Sequence, residues 1–227
     1  MKIVFLGDSL TQGTFGISYV DRVAAATPGH HFINEGVNGD TSLNLYRRLD
    51  EDVLAHRPDG AFVMVGANDA MSYSEPGARP YYRLVKRVPG GVVSPIAFRE
   101  NMRALLGRLA HAGIQTWVAL PPLEYRPAQV AALREMNGCA AEVCAELGIP
   151  ALDLMAALVP ADVPERPPVS SRFYLRSLPV MLGGRQFDRL RDEGGFTYSF
   201  DGIHLTAGGA QRFAELIVPF LQANGLS

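Results

Sequence analysis

The sequence predicts an α/β fold of three layers, in which a doubly wound parallel sheet lies between two layers of helices. Short apolar runs without polar alternation, such as residues 3–6, are typical of strands that helices cover on both faces. Segments with apolar residues at helical spacing follow these runs, and such an alternation indicates a parallel sheet. Because 227 residues with 48% hydrophobic side chains are enough for one buried core, we expect a single domain over residues 1–227.

The first elements can be assigned from their composition and from the glycine and proline residues that end them. The apolar strand at residues 3–6 leads into a small, polar, glycine-bearing stretch at residues 7–14, which predicts a loop at the carboxyl end of the strand. A short helix at residues 18–26 ends at a Thr-Pro-Gly stop and returns the chain to the sheet. The second strand covers residues 31–34 and leads to another loop with glycines.

The remaining elements repeat this order. Asp40 or Thr41 can cap a helix whose buried face is indicated by an apolar residue at every fourth position, Leu45, Leu49 and Val53. The third strand, residues 61–65, again ends in a polar loop. Further helices are predicted at residues 96–111, 127–147 and 207–221, and further strands at 116–120 and 148–154.

Two stretches interrupt the alternation and are predicted to be insertions near the active site. Residues 70–95 contain four prolines and three tyrosines, which favours a long loop over the site. Residues 157–200 include a possible helix at 185–193 and an apolar Phe173-Tyr174-Leu175 cluster that could pack against another subunit. The aromatic side chains of the insertions either line a pocket or anchor the loops: Tyr73, Tyr81, Tyr82, Phe173 and Tyr174.

The charge of the chain limits its expected binding partners, and its cysteines indicate a cellular compartment. With 21 basic and 23 acidic residues, the chain has no electrostatic footprint for nucleic acid or an anionic membrane, so a small molecule is the expected partner. The first apolar run is too short for a signal-peptide core or a membrane span. Cys139 and Cys144 lie on different faces of a predicted helix and are expected to be reduced, which favours a cytoplasmic location.

The polar residues after the strands suggest nucleophilic catalysis. Ser9 follows the first strand, and the carboxyl ends of parallel strands are where such folds bind ligands. A serine hydroxyl needs a base, and His204 is the best candidate among five histidines. Asp201, three residues earlier, can hold the imidazole in the required tautomer. The alternative for Ser9 is a plain helix cap.

Acyl transfer also needs donors directed at the oxyanion, and three are predicted. The backbone N–H groups of Ser9 and Gly39 and the side-chain amide of Asn68 could form a three-donor hole. Gly39 could also be only a turn glycine. Asp8 is expected to organise these loops, with a direct catalytic part left open, and Asp69 is expected to be a cap or a hydrogen-bonding organiser.

The other histidines have no predicted catalytic role. His30, His31, His56 and His111 lie at strand starts or helix ends, where exposed or helix-dipole positions are usual. No pair of them has the spacing of metal ligands, so a structural or catalytic zinc is not expected. No cofactor is predicted either.

Four motifs resemble the sequence blocks of the SGNH (GDSL-type) hydrolases and occur in the same order: Gly7-Asp8-Ser9-Leu10, Asn34-x-Gly36-x-x-Gly39-Asp40-Thr41, Gly66-x-Asn68-Asp69 and Asp201-x-x-His204. The resemblance implies that Ser9 is the nucleophile, His204 its base and Asp201 the partner of the base. It further implies that Gly39 and Asn68 donate to the oxyanion. The family fold would be a flavodoxin-like five-stranded sheet, and its ester hydrolysis needs no metal.

Residues 37–42 are most similar to the thioesterase I and lysophospholipase-like branch of that family. The stretch between Asn68 and Asp201 is longer than in compact members of the branch, which favours a narrower, covered site. The predicted function is a serine hydrolase that cleaves small-molecule carboxylic esters through an acyl-enzyme on Ser9. Acyl esters, thioesters and O-acetyl sugars all remain open as substrates.

Two binding functions without catalysis remain as alternatives. Ser9-x-Thr11-x-Gly13-Thr14 after the first strand loosely resembles a flavodoxin phosphate-binding loop, which would make the chain a flavin-binding module. The other alternative is an SGNH-like scaffold that binds a sugar or lipid without cleaving it.

Overall fold

The computed structural model describes residues 1–168 and 187–226. Its strands form one five-stranded sheet in the order β2-β1-β3-β4-β5, and every neighbouring pair is parallel. This confirms the predicted doubly wound α/β fold, whereas the extent of the single domain stays a prediction. The strands are β1 (Lys2–Gly7), β2 (His31–Gly36), β3 (Gly60–Met64), β4 (Gln115–Leu120) and β5 (Ala151–Asp153).

Helices cover both faces of the sheet. Right-handed crossovers put α2 on one face and α3, α6 and α7 on the other, because the chain reverses direction across the sheet at β2. Contacts agree, since α2 packs against α10 while α6 packs against α3 and α7. Within the described residues no helix is both long and apolar enough to cross a membrane. The helices are α1 (Ser9–Gln12), α2 (Tyr19–Ala26), α3 (Ser42–Asp52), α4 (Ala67–Ser74), α5 (Arg79–Leu84), α6 (Pro95–His111), α7 (Pro127–Leu147), α8 (Leu154–Leu158), α9 (Phe187–Gly194) and α10 (Ala207–Ala223).

The register of the central strands brings three loops to one level. Gly7 at the end of β1 pairs with Gly36 of β2 and with Met64 of β3. A Cβ atom on Gly36 would overlap the backbone of Gln12, so the glycine lets α1 pack directly on the strand end. The residues after β1, β2 and β3 therefore lie at one edge of the sheet.

The polar stretch after β1 was predicted to be a loop, and this was wrong. It contains the one-turn helix α1, because the Asp8 carboxylate accepts a hydrogen bond from the N–H of Leu10 and caps the helix. The cap ahead of α3 is Thr41, whose side chain forms a capping box with Asn44. Of the two predicted caps for that helix, Thr41 is the one used.

The first predicted insertion, residues 70–95, is largely helical instead of an open loop. It contains the end of α4, all of α5 and two 3₁₀ turns, Pro76–Ala78 and Pro89–Gly91. Its prolines occupy the first positions of these helices, where the missing N–H and the fixed φ are compatible with a helix start. The proline content therefore marks helix starts here and not irregular chain.

The second predicted insertion is described in part. Helix α9 confirms the helix predicted at residues 185–193. Residues 169–186, with the Phe173-Tyr174-Leu175 cluster, lie outside the described residues. Helix α8 was not predicted; Asp153 caps it by accepting a hydrogen bond from Ala156, an ordinary cap signal masked by the apolar run around it.

The two thiols are unpaired, as predicted. Cys139 is partly buried and Cys144 is buried in α7. Burial raises the pKa of the Cys144 thiol to about 11, which keeps it protonated and unreactive at neutral pH. The cytoplasmic location stays a prediction.

Candidate active site

Ser9 begins α1 at the carboxyl end of β1. Its side chain is 7% exposed, and its Oγ lies 3.0 Å from Nε2 of His204. The helix cap is Asp8 and not Ser9, so the Ser9 hydroxyl is not needed to start the helix. The serine is thus positioned by backbone structure with its hydroxyl directed at an imidazole.

His204 stands on the turn between α9 and α10 and is held by Asp201. Asp201 Oδ2 lies 2.7 Å from Nδ1 of His204, and Asp201 Oδ1 accepts the N–H groups of Ile203 and His204. A carboxylate only accepts hydrogen bonds, so Nδ1 carries the proton and Nε2 presents a lone pair to Ser9. The structure brings all three predicted catalytic residues into one chain of hydrogen bonds.

In this site the charges of neighbouring groups and burial shift the pKa values of His204 and Asp201 in opposite directions. Burial alone would lower the pKa of His204, but the charge of Asp201 and the hydrogen bond to it, together with the charge of Asp8, raise that pKa above its ordinary value. Burial alone would raise the pKa of Asp201, but the charge and hydrogen bonds of His204 lower it. Asp201 is therefore ionised at neutral pH beside a base of raised proton affinity.

Two phenylalanines that sequence reasoning missed pack beside the imidazole. The ring centroid of Phe15 lies 5.3 Å from that of His204, and the ring of Phe200 stacks at 6.0 Å. Phe187 of α9 packs on Phe200 in turn, at 4.6 Å. No motif marks these positions, although Phe200 directly precedes Asp201. The rings of Phe15 and Phe200 therefore give the imidazole of His204 apolar neighbours.

Asn68 is fixed by contacts with both ends of its amide. Its Nδ2 donates to Asp8 Oδ2 at 3.2 Å, and its Oδ1 accepts the hydroxyl of Tyr82 at 3.0 Å. Tyr82 is 1% exposed and belongs to α5, in the first predicted insertion. Of the two roles predicted for the insertion tyrosines, this one is an anchor. The amide orientation is set because the two contacts demand opposite hydrogen-bonding atoms.

We expect Tyr82→Phe to lower kcat about fivefold, the rate equivalent of roughly 1 kcal/mol for one lost hydrogen bond. The phenyl ring keeps the packing, so the melting temperature should change little. Tyr73→Phe is the matched control, because Tyr73 is 40% exposed and lies on α4. Steady-state kinetics on both variants check this, and equal effects would contradict a role for Tyr82 in orienting Asn68.

Gly39 lies in the loop after β2 with φ +77°. A Cβ atom there would overlap the hydroxyl at the end of the Tyr81 side chain, which can move aside, so it is the backbone angle that requires glycine. Val37 of the same loop donates to the carbonyl of Gly7 at 3.0 Å, which ties the loop to the end of β1. Gly39 is therefore a turn glycine, and this role is compatible with donation from its N–H.

Two further carboxylates organise the surrounding loops. Asp69 accepts the N–H and the hydroxyl of Ser42, as expected of a hydrogen-bonding organiser, and burial raises its pKa to about 7. Asp40 bridges Arg48 and Lys86, each at 2.8 Å. These contacts connect the start of α3 with α4, and they connect the loop after β2 with α3 and with the chain after α5.

In the described part of the chain, no cluster of three or more His, Cys, Asp or Glu side chains is arranged so that it could hold a metal ion. Of the four other histidines, His56 contacts Glu35 at 2.9 Å and His30 lies near the amino terminus. None of the hydrogen bonds found for these two histidines reaches Ser9 or Asp201.

Comparison with known proteins places this chain in a family. Residues 5–212 match the GDSL-like lipase/acylhydrolase family. An acetylxylan esterase of Geobacillus stearothermophilus is 35% identical over 86 residues, an overlap of 30% of this chain and 39% of that protein. The chain thus spans well under half the length of this curated relative.

Solved structures agree in fold. A lipase/acylhydrolase from Enterococcus faecalis aligns with a TM-score of 0.63 at 24% identity, covering 100% of this chain and 99% of that one. The acetyl xylan esterase AlAXEase aligns with a TM-score of 0.65 at 17% identity, covering 96% and 98%. These likenesses show the class of fold, a three-layer α/β fold around a five-stranded parallel sheet. The chain belongs to the GDSL-like lipase/acylhydrolase family.

Proposed function

We propose that this chain hydrolyses carboxylic esters through an acyl-enzyme on Ser9. The observation that carries the proposal is the hydrogen-bonded chain from Ser9 through His204 to Asp201, with contacts of 3.0 and 2.7 Å. His204 Nε2 takes the Ser9 proton as Oγ attacks the carbonyl carbon, and it then gives this proton to the departing alcohol. Water attacks the acyl-serine with His204 as base and releases the acid.

Three groups are proposed to stabilise the oxyanion. They are the N–H of Ser9, the N–H of Gly39 and the amide of Asn68. Asn68 supports this role because its Nδ2 carries two protons, of which Asp8 accepts one. Each such donor typically lowers the barrier by roughly 3 to 4 kcal/mol.

Asp8 is proposed to be a positioning residue. One carboxylate oxygen caps α1 and the other accepts from Asn68, so Asp8 links the nucleophile helix to an oxyanion donor. Burial raises its pKa to about 6, and near neutral pH its charge adds to the proton affinity of His204. Direct proton transfer by Asp8 is not needed, because His204 already faces Ser9.

The flavin-binding alternative does not fit the surroundings of Thr11. The Thr11 hydroxyl is fully buried and lies 3.0 Å from the hydroxyl of Tyr19, and its carbonyl accepts from Asn34. A phosphate-binding loop needs such groups free to face the ligand. The non-catalytic scaffold is disfavoured because the Ser9, His204 and Asp201 side chains are already aligned.

For the substrate we propose a short acyl ester, with an O-acetyl group on a sugar as the first candidate. The support is the likeness to an acetylxylan esterase, since that protein's name gives an acetyl ester of a polysaccharide as its substrate. Long acyl esters and thioesters are served by the same chemistry and become the competing outcomes of the test.

The test is a series of p-nitrophenyl esters from acetate to palmitate, run with an acetylated xylo-oligosaccharide. We expect the highest kcat/KM for acetate and release of acetate from the sugar. A fluorophosphonate should add one phosphonyl group to Ser9, seen by peptide mass spectrometry. A maximum at octanoate or longer would contradict the short-acyl proposal, and labelling elsewhere with full loss of activity would contradict Ser9 as nucleophile.

A further inference from the structure

A buried carboxylate that is separate from Ser9, His204 and Asp201 binds the segment of chain that precedes the proposed base, His204. Glu124 lies in the chain between β4 and α7 and is 3% exposed. Its carboxylate accepts the N–H and hydroxyl of Thr197 at 3.0 and 2.6 Å, and the N–H and hydroxyl of Ser199 at 3.2 and 2.7 Å. The N–H of Tyr198 donates at 3.3 Å. Three consecutive backbone groups thus converge on one side chain.

The contact continues into the turn between Asp201 and His204. The N–H of Glu124 donates to the carbonyl of Gly202 at 2.9 Å, and the Ser199 hydroxyl that donates to Glu124 also accepts from the N–H of Gly202 at 2.9 Å. Gly202 has φ +93°, and a Cβ atom there would lie 2.8 Å from Tyr125 Cα. Backbone and side chain of Glu124 therefore hold the base-bearing turn from both sides.

We propose that Glu124 is a positioning residue that sets the distance between His204 and Ser9. The proposal rests on the function proposed above. Ser9 and His204 are 195 residues apart and stand on different elements, so their 3.0 Å contact depends on how the turn is docked to the sheet. A displacement of about 1 Å between such groups can cost about 100-fold in rate.

The chemistry of the site requires a carboxylate at this position. Two hydroxyls and three N–H groups all donate, and an ionised carboxylate is the side chain that only accepts. A glutamine would turn an NH₂ group toward some of these donors and leave them unsatisfied. The segment could then no longer dock in the same position.

The experiment compares Glu124→Gln with Glu75→Gln. Glu75 is also buried, at 4% exposure, and accepts from Arg126 and Gln129, so its variant loses a buried charge outside the base-bearing turn. Measurements are kcat and KM for p-nitrophenyl acetate, the rate constant of fluorophosphonate labelling, and the melting temperature, with kinetics taken well below both melting temperatures. Ser199→Ala, which removes one donor and one acceptor, is the milder second variant.

We expect Glu124→Gln to lower kcat and the labelling rate constant together, by about 30- to 100-fold, with KM changed less than about threefold. Glu75→Gln should stay within about threefold of the parent protein, even where its melting temperature falls equally. Ser199→Ala should lower kcat about five- to tenfold, and it decides the matter if Glu124→Gln does not fold.

The proposal is overturned if Glu124→Gln loses no more kcat than Glu75→Gln, or if Ser199→Ala keeps the parent labelling rate. Ser9→Ala separates this failure from failure of the proposed function. An active Ser9→Ala variant would remove the function and this inference with it. An inactive Ser9→Ala variant beside a fully active Glu124→Gln variant would remove the positioning role alone.

Discussion

Ser9→Ala is expected to lower kcat for p-nitrophenyl acetate by about 10⁴-fold or more, since the variant cannot form the acyl-enzyme. The residual rate would come from the oxyanion donors and from substrate binding, which the substitution leaves in place. KM should change little for the same reason. Initial rates over a substrate series, with enzyme concentrations high enough to measure the residual activity, check the prediction.

The fold of this variant should be preserved, which makes the loss of activity interpretable. Asp8 caps α1, so removing the Ser9 hydroxyl leaves the helix start intact. The lost hydrogen bond to His204 contributes about 1 kcal/mol of stability or less. Ser74→Ala is the control, because the Ser74 hydroxyl donates to the carbonyl of Ala70 inside α4. A Ser9→Ala variant that keeps a tenth or more of the parent kcat would contradict the proposed mechanism.

Asp201→Asn is expected to lower kcat/KM at neutral pH by about 10⁴-fold. The carboxylate holds the proton on Nδ1 of His204, and an amide can present its NH₂ to that nitrogen and favour the wrong tautomer. His204 would then offer an N–H to Ser9 instead of a lone pair. Steady-state kinetics from pH 5 to 9 give both the size of the loss and its pH dependence.

The pH profile has a predicted sign. His204 acts as a base when neutral, so kcat/KM falls as the pH drops through its pKa, and Asp201 and Asp8 raise that pKa above the ordinary value. Removing the charge of Asp201 lowers the pKa, and the acid limb of the profile should move to lower pH. An acid limb that stays in place, or moves up, would contradict the assignment of Asp201 as the partner of His204.

Local signals explain how much could be predicted from sequence. The buried strands are apolar runs, and helices such as α7 show apolar residues at helical spacing, so their type depends on neighbours within a few residues. Ser9, Gly39 and Asn68 were predicted as site residues because each follows a strand, and parallel strands end at one edge. His204 and Asp201 were predicted as partners of Ser9 from the spacing of a short motif.

The errors came from segments whose local signals admit two structures. Residues 70–95 were predicted to be a loop because prolines usually interrupt regular structure, yet these prolines stand at helix starts. Residues 7–14 contain a helix of one turn, too short to show a period. In the first stretch the prolines fit the first positions of helices, and in the second the carboxylate of Asp8 caps the single turn.

By itself the sequence determined the sheet, its helical layers and the residues that stand at the strand ends, because these follow from the order of polar and apolar residues. Only the tertiary structure decided which side chains hold that site together. Tyr82 reaches Asn68 across 14 positions, Glu124 reaches Thr197 across 73, and Ser9 meets His204 across 195. Such contacts depend on the packing of separate elements, and no local pattern encodes their distance.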